Sequence, residues 1–165
     1  MEGDQLMDGT VLHTDSGYVL RFERTLNHPV DRVWAALTEP GRRAEWFRAG
    51  RLDLLPEGAV DLADSVHGIT GKVLSVEPPW LLEFTWVSGD SPEESVVRFE
   101  LSKANQGCNL VFTHTVPASA NRMNLAAGWH CHFDSLPLAL DGEDAAVPED
   151  KWRKQLEYYR QTLAN

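Results

Sequence analysis

The stretch "GWHCHFDSL", residues 128–136, decides how the chain is read. As a strand it would put His130 and His132 on one face, two ligands of a metal site. As a helix it turns them about 200° apart, at roughly 100° per residue, so the pair cannot grip one ion. A helical metal pair needs a spacing of three or four. The surrounding apolar residues settle the choice. Leu125, Trp129, Phe133, Leu136 and Leu140 recur at helical spacing and fall in one narrow stripe. The helix is expected to run from Ala118 to about Leu140, with that stripe against a sheet. His132 lies on the shoulder nearer Trp129 and Leu136, and His130 on the opposite one. Cys131 falls away from the stripe.

Working outward, residues 10–27 read as strand broken by the turn "DSG" at 15–17, with Tyr18, Leu20 and Phe22 alternating against Val19, Arg21 and Glu23. In "NHPVDRVWAALTEP" the period becomes helical at Val30, Val33, Trp34 and Leu37. Asn27 or His28 is the expected cap, and Pro29 suits the first turn. Pro40 stops this helix, and "GRRAEWF" forms a second short one. Six strand candidates follow, at 50–55, 59–64, 70–77, 80–88, 94–102 and 108–116, separated by good turn chemistry. Leu82, Phe84 and Trp86 share a face, as do Cys108, Leu110, Phe112 and His114. Short connections between consecutive strands favour antiparallel pairing. A last helix opens at "PED", residues 148–150, with Trp152, Leu156, Tyr159 and Leu163 in one stripe. The fold class is α+β: a curved antiparallel sheet, two short helices after the first strand, a long helix across the sheet and an extra C-terminal helix.

Composition bounds the function. The chain has 165 residues, 42% of them hydrophobic, enough for one domain with its own core. One domain over 1–165 is expected, its core at about 10–140 and the added helix at 148–163. A formal charge of −10 with no basic cluster argues against nucleic acid and against anionic membrane surfaces. No apolar run reaches the ~20 residues of a membrane helix, and the acidic start "MEGDQLMDG" is unlike a signal peptide. A cytoplasmic location is the expectation. Cys108 and Cys131 are expected to be small buried apolar residues and not a disulfide framework.

Four segments together carry a family resemblance: "FERTLNHPVDRVWAALTEPGRRAEWF" (22–47), "GKVLSVEPPWLLEFTW" (71–86), "VVRFELSKANQGCNLVFTHT" (96–115) and "GWHCHFDSL". In this order the chain resembles the SRPBCC superfamily, the helix-grip fold of START lipid-binding domains and the birch-pollen allergen. It is most similar to the branch named for the activator of the heat-shock-protein-90 ATPase. The resemblance implies a small apolar or aromatic molecule held between sheet and long helix. It leaves open an enzyme of cyclase, hydratase or hydrolase type and a chaperone-activator interaction module. The last is not favoured, because nothing here is long enough for the eukaryotic activator's separate N-terminal domain.

The aromatic set Trp34, Trp46, Phe47, Trp86, Phe112, Trp129 and Phe133 supplies core and pocket walls. The candidate ligand-binding residues are Trp46, Trp86, Phe112, His114, Trp129, His132 and Phe133. His114 is the strand residue best placed for hydrogen bonding or acid–base work, with His132 as its potential partner across the cavity. Asp61, Asp64 and Glu83 are candidate carboxylate partners for a pocket histidine. Arg21, Arg24 and Arg98 read as strand-edge surface charges. No nucleophile elbow, P-loop, dinucleotide fingerprint or CxxC pair is present, so no cofactor is expected. A metal site built from His114, His132 and a distant carboxylate would lack the ligand count zinc wants, and no metal is expected either. Trp152, Tyr158 and Tyr159 offer an aromatic surface through which two copies could pair, although packing on the domain itself is the simpler expectation.

Overall fold

The structure is a computed structural model, and it describes residues 9–62, 68–88 and 91–163, with the backbone alone at 91 and 92. The strands are β1 (Thr10–His13), β2 (Gly17–Leu26), β3 (Arg51–Leu52), β4 (Ala59–Leu62), β5 (Ile69–Glu77), β6 (Leu81–Ser88), β7 (Ser91–Ala104) and β8 (Gly107–Pro117). The helices are α1 (Val30–Thr38), α2 (Pro40–Trp46), α3 (Arg122–Leu140) and α4 (Lys151–Thr162). All eight strands form one antiparallel sheet in the order β1-β2-β8-β7-β6-β5-β4-β3. The early strand β2 therefore pairs with the last strand, β8, and α1 and α2 span the connection from β2 to the far edge.

Alternation builds the inner face. Along β2, Leu20, Phe22, Arg24 and Leu26 turn inward. On β8 their partners are His114, Phe112, Leu110 and Cys108, and on β7 the row continues through Val97 and Phe99. Gly107 is required by proximity, since a Cβ there would stand 1.9 Å from the Leu26 carbonyl oxygen. The Trp129, Phe133 and Leu136 stripe of α3 meets this face and is buried to 3% exposure or less.

Several boundaries differ from expectation. The cap position of α1 is Pro29, with extended backbone and no side-chain bond; Asn27 and His28 do not cap it, and His28 instead bonds Asp141 at 2.7 Å. Of the 50–55 candidate only Arg51–Leu52 pairs. The long helix begins at Arg122, not Ala118, because Asn121 ends the preceding turn and its side chain accepts the Asn124 N–H at 3.1 Å. The last helix begins at Lys151, not Pro148.

One burial expectation also fails. Arg24 is not a surface charge: it is 3% exposed, because it alternates inward with Phe22 and Leu26 and meets Asp134 of α3 at 3.6 Å. Cys131 is buried, as expected of both cysteines; it lies off the apolar stripe, and α4 covers it by packing on the back of α3 through Leu156 and Tyr159. The tie is specific. The Tyr159 hydroxyl meets His130 Nδ1 at 2.7 Å and accepts the Gly9 N–H at 2.9 Å. Trp152 and Tyr158, by contrast, remain exposed.

Arg43 of α2 holds the helix corner together. Its guanidinium donates to the carbonyls of Thr38 at 3.1 Å and Leu37 at 3.4 Å, the orphan acceptors at the end of α1. Its Nε–H donates to the Arg48 carbonyl at 3.0 Å. This fixes the entry to Trp46 and Phe47.

Candidate functional site

The middle of the space between sheet and α3 is filled. Phe112 lies 4.3 Å from Trp129 and 4.9 Å from Phe133, ring centroid to centroid, and Phe47 lies 5.1 Å from Trp129. Trp46 packs 5.9 Å from Phe133, and its indole N–H donates to the Ala36 carbonyl at 2.8 Å. The void left beside Trp46 and Phe47 is about 10 Å³, too small for a ligand. Trp46, Phe112, Trp129 and Phe133 therefore pack as core between sheet and helix. Phe133 also borders a separate groove under α4, which Arg24, His130 and Tyr158 line as well.

At one end the space opens. A cleft of about 340 Å³ lies between the outer ends of β6, β7 and β8 and the first turn of α3. Trp86, Ser95, His114 and Val116 line its floor, Leu125 its helix side, and Ser119, Asn121 and Asn124 its rim. Of the candidate residues, Trp86 and His114 reach this cleft. Ser95 carries no sequence motif, yet it faces inward in register with Val97 and Phe99, which alternation along β7 foretells.

His114 is the best-satisfied polar group in the region. The Trp129 indole N–H donates to its Nδ1 at 3.1 Å, which places its proton on Nε2. That Nε2–H donates to the Ser95 hydroxyl at 2.8 Å, and the hydroxyl donates onward to the Trp86 carbonyl at 3.1 Å. Indole, imidazole, hydroxyl and carbonyl form one chain with every donor matched. Burial pushes the His114 pKa down to about 3, so the ring is neutral near pH 7. His132 takes a different partner, donating from Nδ1 to the Trp46 carbonyl at 3.0 Å, and packs edge-on to Phe47. Burial is the main cause holding it down to about 4; the nearby Arg48 charge adds to this and the Trp46 bond opposes it.

The two histidines do not meet. Trp129 stands between them, its ring 6.0 Å from each. Nor do Asp61 and Glu83 approach His114. Asp61 alternates outward from Val60 and Leu62, Glu83 pairs with Arg98 at 3.2 Å, and Asp64 lies outside the described residues. Among the described residues no three His, Cys, Asp or Glu side chains converge as a metal site.

The model of the Activator of Hsp90 ATPase homolog 1-like protein family matches residues 27–141. The chain belongs to this family. The match spans both short helices, the cleft and α3, and ends before α4. A Bordetella parapertussis protein, the product of gene BPP1335, is 31% identical over 94% of this chain and 91% of its own, with a TM-score of 0.68. CalU16 from Micromonospora echinospora is 24% identical over 95% and 96%, with a TM-score of 0.75. A conserved protein of unknown function from Enterococcus faecalis, EF2215, is 21% identical over 98% and 94%, with a TM-score of 0.80. The last two show the fold alone. Comparison with curated proteins finds no match. Among the described residues no helix is long and apolar enough to cross a membrane.

Proposed function

We propose that this family member binds a small apolar or aromatic molecule in the cleft at the end of the sheet–helix gap and holds it without transforming it. The observation that carries this is the cleft itself: about 340 Å³, with Trp86 and Val116 on its floor, Leu125 on its helix side, and hydroxyl and amide groups at its rim. Ligand sites commonly start at roughly 300 Å³ and combine an apolar wall with a few polar groups that fix orientation. Against acid–base catalysis stands the state of His114. Its basic nitrogen is occupied by Trp129, and a base with a pKa of about 3 takes up few protons near neutral pH.

The test uses native mass spectrometry of freshly purified protein for a retained small molecule, then calorimetric titration with 2-naphthylmethanol. Saturable one-to-one binding, lost in Leu125→Trp and in the rim variant Asn124→Trp, supports the reading. No heat of binding, or heat unchanged in both variants, overturns it.

The filled middle of the gap favours a second reading, a protein-interaction module that acts by surface contact. Stimulation of the cognate chaperone's ATPase by the purified domain, undiminished in Leu125→Trp, would establish it. No stimulation would reject it.

A further inference from the structure

We infer that the molecule held in the cleft carries a positive charge beside its apolar body, an ammonium group in place of a carboxylate. This rests on the cleft being the binding site. The formal charges around it are one-sided. Glu93 at the rim is the only charged side chain lining it among the described residues, and the Ser119 hydroxyl donates to its carboxylate. Among the described residues no Lys or Arg joins the lining. Arg122, the neighbour of Asn121 in sequence, turns away: its guanidinium lies 4.9 Å from the Tyr18 ring centroid and donates to the Leu163 carbonyl at 3.0 Å. At the floor His114 contributes no positive charge near pH 7, because its ring is held neutral by burial.

One feature opposes this. The first turn of α3 borders the cleft, and a helix N-terminus carries roughly half a positive charge. Asn121 already meets part of that demand by accepting the Asn124 N–H. What remains is set against the full charge of Glu93 and a chain whose formal charge is −10. The acidic balance also raises the local concentration of cations over anions.

The chemistry of each ligand class then differs. A carboxylate entering the cleft would shed water beside Glu93 with no basic side chain to receive it, which is costly. An ammonium has three donors to place. Glu93, the lone pairs of Ser119 and the side chain of Asn124 line the cleft for them, and Trp86, which lines it as well, brings an aromatic ring that favours a cation over an anion.

Three probes sharing one ring system separate the cases by calorimetry on the full chain: 2-naphthylmethylamine, 2-naphthylmethanol and 2-naphthoate. The expected order of affinity is amine, alcohol, carboxylate. Glu93→Gln, an exposed change that keeps the shape, should weaken the amine about two- to fivefold, the range of an exposed ion pair, and leave the alcohol unchanged. The charge inference is overturned if the carboxylate binds as tightly as the amine, or if Glu93→Gln moves all three probes alike. In that event, alcohol binding that Leu125→Trp blocks would leave the cleft standing as a neutral-ligand site. If none of the three binds, the cleft is not the site, and both readings end together.

Discussion

The closed middle of the sheet–helix gap and its open end are built from the same two elements and do different things. In the middle, α3 and the sheet meet through Phe112, Trp129 and Phe133, whose rings leave no ligand-sized space. Four residues before Trp129, the same helix stripe presents Leu125, only half-buried, and the cleft begins. Trp129 belongs to both regions. Its ring completes the aromatic pack, while its N–H fixes the tautomer of the histidine on the cleft floor. The protein thus uses core packing to preorganise a polar surface at the pocket, so that the polar atoms of His114 and Ser95 are spent on each other before any ligand arrives.

The largest effect is expected at Trp129 itself. Trp129→Ala should destabilise the fold by about 3–5 kcal/mol, the range for truncating a buried tryptophan, a large share of a typical domain's stability of roughly 5–15 kcal/mol. Trp129→Phe keeps most of the packing and removes only the donor to His114. Its cost, about 1–3 kcal/mol for a buried acceptor left unpaired, should be clearly the smaller. Urea unfolding of the two variants checks this. Equal losses would mean that the hydrogen bond, and not the packing, closes the middle.

Acid should act next. The unfolded chain protonates its histidines near their ordinary 6.5, whereas folded His114 and His132 resist until about 3 and about 4. Between those values the unfolded state binds more protons, so stability is full above pH ~6.5 and is lost as pH falls toward 3. Each of the two histidines costs about 1.4 kcal/mol per pH unit below 6.5, so the loss reaches about 4 kcal/mol by pH 5. Urea midpoints should therefore decline steadily from pH 7.5 to 5. Histidine ring resonances in NMR give the direct check: neither His114 nor His132 should titrate above pH 5. A ring titrating near 6.5 would show that water reaches that imidazole.

What the sequence made legible follows from periodicity. The β8 face of Cys108, Leu110, Phe112 and His114 and the α3 stripe were both readable because each repeats the period of its element. Burial that depends on a third element was not. Cys131 lies off the α3 stripe, so its burial was legible only from residue type, and the cover comes from α4 docking there. Arg24 was readable in principle, two residues from Phe22 and two from Leu26, but its charge argued for the surface against its position. The cleft was the least legible feature. Residue types marked His114 and Trp86 as candidates alongside Trp46 and Phe112, yet which aromatic side chains fill space and which border it depends on volumes summed over β6, β7, β8, α2 and α3. No single segment carries that information.

Ser95 lies on the border of the two regions, and its removal tests which side it belongs to. In a dry core, Ser95→Ala would strand the Nε2–H of His114 at up to about 3 kcal/mol. Ser95 also lines the cleft, so a water molecule can replace the lost hydroxyl. The expected cost is therefore near the low end, about 1 kcal/mol, measured by urea unfolding. A loss as large as that of Trp129→Phe would place Ser95 with the closed core.

The smallest effect belongs to the open end. Inserting bulk into a packed interior costs typically about 1–3 kcal/mol, because neighbouring side chains are forced from their rotamers. Leu125→Trp adds an indole where the structure has about 340 Å³ of space, so it should change stability by less than about 1 kcal/mol. The added ring would lie beside Val116 and Trp86, gaining some apolar contact and displacing cleft water, and its N–H can remain solvated at the mouth. Melting temperature would then stay close to that of the parent while ligand binding is lost, and only an open cleft permits both together. A strongly destabilised Leu125→Trp would mean that the end of the gap is closed like its middle.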